Sequence, residues 1–217
     1  MRGRAPNTSR IPQDMEVRKG GSGSSYTTVL TSGTNSFSPP TTGRYKFYGW
    51  AGGRGGNGAG DGGASGSYFE ISKALSVGQT VMCSVGRGGW TSRPAEATTV
   101  TFPDGTTATA AAPANVNDQA LATGGDVNLS GSRGGLASTG QAGGAGGGNS
   151  GGAGGPGAFL IGGGAGSPAN APMRGAPGGF YSSSLAGGCP GGGGAGDDGG
   201  GGTPPGGAGL IIVVRVG

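Results

Sequence analysis

The sequence contains no histidine and has few cysteines, aromatic residues and charged residues. Of its 217 residues, 11% are charged, 6% are aromatic and two are cysteines. The absence of histidine removes the commonest general base and the commonest neutral metal ligand. The low charge excludes the charge-rich type of disorder. With 32% hydrophobic residues, the chain can fill at most one core of the size of a β-sandwich.

No group of side chains predicts catalysis or metal binding. Asp197 and Asp198 are adjacent carboxylates with no acid or nucleophile spaced to join them, and they are too few for a Ca²⁺ site, so a solvated turn is favoured. The segment Gly86-Arg-Gly-Gly89 lacks the Lys-Ser/Thr pair of a phosphate-binding loop. Cys83 and Cys189 are isolated and are expected to be free thiols. We therefore expect no enzyme activity, no cofactor and no metal.

The N-terminal residues 1–25 are polar, contain two prolines and end in a Gly/Ser stretch, so they predict an extended docking arm and a flexible joint. No apolar stretch of signal-peptide or membrane-span length follows, so we expect no secretion signal and no membrane insertion. The side chains expected to dock the arm on a partner are Arg2, Arg4, Arg10, Ile11, Arg18 and Lys19.

Three Arg-Gly-Gly triplets, beginning at Arg54, Arg87 and Arg133, raise the alternative of RNA binding. Such triplets bind RNA when many copies are clustered in a disordered segment. Here two of the three directly follow strand-like segments, which favours a structural position at strand ends. A basic stripe across the folded part is also missing, so we expect no nucleic-acid partner.

Residues 26–110 contain short apolar segments at the spacing of an antiparallel β-sandwich, separated by turn residues. The run Phe102-Pro-Asp-Gly-Thr106 has the composition of a hairpin turn. Aromatic residues on both faces of the strand that ends at Trp50 indicate that both faces are covered. The predicted strands are 26–31, 45–50, 68–71, 80–85, 98–102, 106–110 and the closing strand 210–216.

Glycine dominates the second half of the chain: 33 of the 59 glycines lie in residues 140–217. The tract ends in the apolar segment 210–216, which must be buried and is expected to pair with strands much earlier in the chain. Segments 143–148, 151–155 and 191–196 are long enough to form polyglycine-II-type helices, which hydrogen-bond to one another because they lack side chains. The tract is therefore predicted to be a folded insertion with connecting loops.

The order of these motifs resembles the glycine-rich domain of bacteriophage tail-fibre proteins. The resemblance runs from Thr31-Ser-Gly-Thr34 and Phe37-Ser-Pro-Pro40 through the strand that enters Ala51-Gly-Gly-Arg-Gly-Gly56. It continues through Gly62-Gly-Ala-Ser-Gly-Ser-Tyr68, Leu75-Ser-Val-Gly-Gln79 and Gly86-Arg-Gly-Gly89, and it ends at Gly206-Gly-Ala-Gly-Leu-Ile-Ile212. The layout is also similar to the glycine-rich domain of anaplastic lymphoma kinase family receptors, and polyglycine helix bundles form the adhesin tips of some T-even-like phages.

The resemblance implies a mainly β fold: an antiparallel β-sandwich with an inserted bundle of polyglycine-II-type helices, preceded by the arm, with little or no α-helix. One glycine-rich domain would span 26–217, with strands in 26–110, helices and loops in 111–205 and the closing strand in 206–217. The implied function is a virion tail-fibre or tail-tip adhesin, made in the host cytoplasm. The alternative is a head fibre, cap or decoration protein without adhesive function.

The expected partners are other virion proteins, contacted through the arm, and a host cell-surface protein or glycan. A homotrimer is a further expectation, because phage fibres are commonly trimers. Bulky residues isolated among small ones are candidates for receptor contact, since aromatic and arginine side chains often anchor interfaces. These candidates are Trp90, Met173, Arg174, Phe180 and Tyr181. For Trp90 the alternative is packing at the rim of the fold. A second island, 159–161, could fill the core instead.

Overall fold

The computed structural model describes residues 27–56, 63–90, 93–134, 190–193 and 205–216. Within these ranges the fold is mainly β, with antiparallel strands in two sheets and no helix, as the sequence predicts. The strands are β1 (Thr27–Leu30), β2 (Gly33–Phe37), β3 (Gly43–Trp50), β4 (Tyr68–Leu75), β5 (Val81–Val85), β6 (Thr98–Thr101), β7 (Thr107–Ala110), β8 (Ala122–Thr123), β9 (Val127–Leu129) and β10 (Leu210–Arg215).

The closing strand β10 lies inside a sheet formed by strands from the first half of the chain. The strand order of this first sheet is β1-β10-β3-β4-β9, so β10 pairs with β1 on one side and with β3 on the other. Ile211 and Val213 are fully buried, as an apolar central strand requires. The expectation that the last strand pairs with early strands is therefore confirmed.

The second sheet, in the order β2-β5-β6-β7-β8, shares one hydrophobic core with the first. Phe47 of the first sheet contacts two aromatic rings of the second sheet region. Its ring meets Phe37 edge-on at 5.6 Å and Phe102 edge-on at 5.1 Å, measured between ring centroids. Edge-to-face packing suits the charge distribution of aromatic rings, so Phe47 links the two sheets at the centre of the core.

The outer face of the first sheet carries a second, smaller cluster that contains Trp50, Tyr68, Leu210 and Ile212. The ring centroids of Trp50 and Tyr68 lie 4.8 Å apart, and both side chains are buried. The Tyr68 hydroxyl donates a hydrogen bond of 2.7 Å to the Glu70 carboxylate, which is buried. Both faces of β3 therefore carry buried aromatic residues, as predicted.

Lys46 completes this outer cluster by forming an ion pair with Glu70. The hydrogen bond and the charge of Glu70 raise the pKa of Lys46 above its ordinary value. Burial, followed by the hydrogen bond to Glu70, raises the pKa of Tyr68 far above that of an exposed tyrosine. Glu70 thus has a donor on each side, which a buried carboxylate needs.

The turn between β6 and β7 has the predicted hairpin chemistry. Gly105 has a φ of 80°, a conformation that residues with a Cβ rarely adopt. The Gly105 N–H donates to the Phe102 carbonyl at 2.9 Å, and the Thr106 N–H donates to the Asp104 carboxylate at 2.9 Å. A hydrogen bond from the ammonium group of Lys73, together with those from Thr106, lowers the pKa of Asp104 to about 2.

Three strands were not predicted from the sequence. β2 carries one large apolar residue, and the two- and three-residue strands β8 and β9 lie in the range expected to hold only glycine-rich helices and loops. The docking arm and the predicted glycine helices 143–148 and 151–155 lie outside the described residues. Of the segment 191–196, only 191–193 is described, and Pro190 and Gly191 form a turn there.

Candidate interaction site

Five glycine-rich segments outside the strands hydrogen-bond to one another at one end of the sheets. We call these segments the glycine cluster: residues 51–54, 63–67, 86–89, 190–193 and 205–209. The first follows β3, the second precedes β4, the third follows β5 and the last precedes β10. The cluster therefore brings together chain segments that are far apart in sequence.

The segment 51–54 lies at the centre of the glycine cluster. The Gly53 N–H donates to the Gly207 carbonyl at 2.9 Å, and the Gly53 carbonyl accepts from the Gly89 N–H at 2.8 Å. The Arg54 N–H donates to the Ala64 carbonyl at 2.8 Å. Buried peptide groups that lie outside helices and strands still need partners, and here neighbouring segments provide them.

Glycine is required in this cluster because the segments lie too close together for side chains. A Cβ on Gly52 would overlap the backbone of Arg87, and one on Gly88 would overlap the carbonyl oxygen of Gly206. A Cβ on Gly206 would in turn overlap the carbonyl oxygen of Gly53. The obstacles are backbone atoms, which cannot rotate away as a side chain does, so an alanine at these positions must displace a whole segment.

The connection between β5 and β6 leaves the glycine cluster and presents an exposed tryptophan. We call it the tryptophan loop, and its described residues are 86–90 and 93–96. Trp90 and Arg93 form a backbone bridge. The Trp90 N–H donates to the Arg93 carbonyl at 2.7 Å, and the Arg93 N–H donates to the Trp90 carbonyl at 3.2 Å. The Trp90 side chain is 55% exposed, whereas Trp50 is 1% exposed. Trp90 is thus the tryptophan available for contact with a partner.

The base of the tryptophan loop is fixed by its hydrogen bonds to the glycine cluster. Gly89, which precedes Trp90, donates to Gly53 and accepts from the Gly206 N–H at 2.9 Å. On the other side, the Glu96 carbonyl accepts from the Gly52 N–H at 3.1 Å. A side chain presented by a fixed backbone loses less conformational entropy on binding than one on a free loop.

Glu96 joins the two arginines of the tryptophan loop. Its carboxylate accepts hydrogen bonds from the Arg87 backbone N–H at 3.2 Å and from the Arg93 guanidinium at 3.2 Å. It also lies 3.9 Å from the Arg87 guanidinium. These contacts lower the pKa of Glu96, and the hydrogen bond from the Arg87 backbone N–H has the largest effect. Two cations therefore share one carboxylate beside Trp90, which leaves one excess positive charge.

Of the residues predicted to contact a receptor, the structure describes only Trp90. It lies on an exposed loop, which satisfies the first requirement for a contact residue. The other four, Met173, Arg174, Phe180 and Tyr181, lie outside the described residues, as do the arm residues Arg2, Arg4, Arg10, Ile11, Arg18 and Lys19. Those assignments remain predictions.

Sequence reasoning did not assign Arg87, Arg93 and Glu96 to the site. Glu96 lies nine residues from Arg87, and no sequence pattern indicates that the loop folds back to bring them together. The available signal was local composition, because two arginines and one glutamate flank a lone tryptophan between two strand segments. The free-thiol prediction is confirmed for Cys83, whose burial raises its pKa to about 12, and Cys189 lies outside the described residues.

No protein-family model matches the chain, and no curated protein matches its sequence. Within the described ranges, no His, Cys, Asp and Glu side chains cluster in groups of three or more that could hold a metal ion. The described residues also include no helix long and apolar enough to cross a bilayer.

Proposed function

We propose that this protein is a bacteriophage virion protein, a tail-fibre or tail-tip adhesin that attaches through its N-terminal arm and binds the host surface through exposed loops. The virion assignment rests on the resemblance in motif order to tail-fibre glycine-rich domains. The adhesive function rests on one observation, the half-exposed Trp90 on a loop that the glycine cluster holds in place.

The arrangement of the tryptophan loop suits recognition. Binding and catalytic residues are often carried by loops that a rigid scaffold positions. Tryptophan and arginine are the side chains that most often dominate binding energy, and the tryptophan loop contains one tryptophan with an arginine on either side. In this proposal Met173, Arg174, Phe180 and Tyr181 belong to further contact loops.

The test is binding of the purified, fluorescently labelled full-length chain to a panel of bacterial cells. The proposal predicts saturable binding to the host strain and inhibition of phage adsorption by the free protein. Trp90→Ala is expected to weaken cell binding by about tenfold or more, since a central aromatic contact typically contributes that much. The matched control is Val77→Ala, a substitution of an exposed residue in the turn before β5, which should leave cell binding unchanged.

A protein that is incorporated into particles but neither binds host cells nor blocks adsorption would contradict the adhesin proposal. That result would support the alternative, a head fibre, cap or decoration protein whose glycine-rich domain only projects from the particle.

A further inference from the structure

The tryptophan loop combines an exposed aromatic ring with two arginines that share one carboxylate. We propose that it binds a sugar that carries an acidic group, with the sugar ring over Trp90 and the carboxylate or phosphate beside Arg87 and Arg93. This inference names the ligand class of the site and rests on the proposed function.

The aromatic part of the argument concerns the shape of Trp90. A pyranose ring has faces of C–H groups and a rim of hydroxyls, so it packs an apolar face on an aromatic ring while its rim stays hydrated. Trp90 offers such a ring at 55% exposure, and hydrogen bonds hold its own backbone and that of Gly89, the residue before it. Aromatic side chains provide large contact area for few rotatable bonds, which suits a ligand with weak individual contacts.

The charge of the site favours an acidic sugar over a neutral one. The side chains of Arg87 and Arg93 are 57% and 51% exposed, and within the part of the chain that the structure describes the carboxylate paired with them is that of Glu96. Guanidinium groups bind carboxylates and phosphates through parallel hydrogen bonds. The Glu96 carboxylate accepts from the Arg87 backbone N–H as well as from the Arg93 guanidinium, so it keeps the two arginines on the same side of the loop.

The surface beside the loop argues against nucleic acid and against a protein partner. One row of outward positions in the second sheet carries a hydroxyl on every strand, in register with one another. This row contains Thr34, Ser84, Thr99, Thr109 and Thr123. A nucleic acid needs further cations along its phosphates, and the core of a protein interface is richer in apolar residues. Uncharged hydroxyls suit a polyhydroxylated ligand that extends from the loop over this face.

The experiment measures binding of defined sugars to the full-length chain by isothermal titration calorimetry, with Trp90 fluorescence as a second readout. The probes are trigalacturonate, its carboxyl-reduced neutral counterpart, glucose 6-phosphate and glucose. We expect trigalacturonate to bind at least about tenfold more tightly than the reduced trisaccharide, because only the acid can pair with the arginines. Comparison of glucose 6-phosphate with glucose tells whether phosphate can replace carboxylate.

Variants separate the two parts of the site. Trp90→Ala is expected to weaken binding of trigalacturonate by about tenfold or more, whereas Val77→Ala should leave it unchanged. Arg87→Gln and Arg93→Gln keep the backbone bonds of the loop and should each reduce the preference for the acidic over the reduced trisaccharide. Amide spectra of each variant would show that the sheets remain folded.

The inference is overturned if neither acidic sugar binds, if the acidic and reduced sugars bind equally, or if Trp90→Ala binds as well as the wild type. Tighter binding of a single-stranded RNA oligonucleotide than of any sugar would also overturn it. Failure here is distinguishable from failure of the proposed function. A protein that binds host cells, without competition from acidic sugars, retains the adhesin function and loses this ligand.

Discussion

Gly88 and Gly206 lie so close that a Cβ on Gly88 would overlap the carbonyl oxygen of Gly206. Gly206 belongs to the segment that enters the closing strand, and Gly88 belongs to the loop that carries Trp90. The contact therefore joins the end of the chain to the candidate interaction site. It explains why glycine is needed at positions whose backbone conformation would accept other residues.

The first prediction concerns this contact. Gly88→Ala is expected to lower the free energy of unfolding by about 3 kcal/mol, because the new methyl group meets backbone atoms that cannot rotate away. The comparison is Gly105→Ala in the β6–β7 turn, where a Cβ has open space and only the positive φ is unfavourable. That variant should lose about 1 kcal/mol. Urea unfolding followed by circular dichroism measures both, and equal losses would contradict the close approach.

The second prediction concerns the core between the sheets. Phe47→Ala is expected to lower the free energy of unfolding by about 3 to 5 kcal/mol, because it removes a ring that contacts Phe37 and Phe102 and leaves a cavity. Val77→Ala, at a residue that is 63% exposed, should change it by less than about 0.5 kcal/mol. A small effect of Phe47→Ala in urea unfolding would mean that the two sheets do not share this core.

The third prediction concerns alkaline unfolding. The pKa of Tyr68 is raised in the folded protein, so folding retains a proton that the unfolded chain releases above about pH 10. This stabilisation is complete below pH 10 and is lost as the pH rises above it. In Tyr68→Phe the decline of unfolding free energy above pH 10 should be shallower by about 1.4 kcal/mol per pH unit. Urea titrations between about pH 9 and 11.5, a range that includes the ordinary tyrosine pKa of about 10, measure the slope. An unchanged slope would contradict the buried position of Tyr68.

The fourth prediction concerns the docking arm. Deletion of residues 1–25 is expected to leave the sheets folded, since β1 begins at Thr27, but to abolish incorporation into virions. Circular dichroism tests the fold, and immunoblotting of purified particles tests incorporation. Particles that contain normal amounts of the truncated chain would show that the arm does not dock it.

The strands were predictable where the sequence alternates. Tyr45 and Phe47 alternate with polar residues, and β10 is apolar from Leu210 to Val214, so the sequence predicts both strands with nearly their observed bounds. β2 was missed because Thr34 and Ser36 face solvent and a single buried aromatic residue, Phe37, gives no period. Secondary-structure patterns depend on side chains, so they fail where side chains are few.

The same limit explains what was missed at the site. Trp90 was a candidate because a large aromatic residue follows a glycine segment, but nothing in the sequence shows that Gly53, Gly89 and Gly206 meet. Glycine segments have no side-chain pattern that specifies a partner. Their pairing therefore depends on the positions of the strands that they follow or precede. The loop contacts of Glu96 depend on that pairing and could not be predicted before it.

The most direct test of the glycine cluster is amide hydrogen exchange at Gly53, Gly89 and Gly206, resolved by NMR. These N–H groups donate to Gly207, Gly53 and Gly89 in turn, outside any strand. If the cluster holds the tryptophan loop in place, they exchange as slowly as the amides of β10. Exchange at the rate of an unfolded chain, with β10 still protected, would show that the glycine segments do not bond to one another.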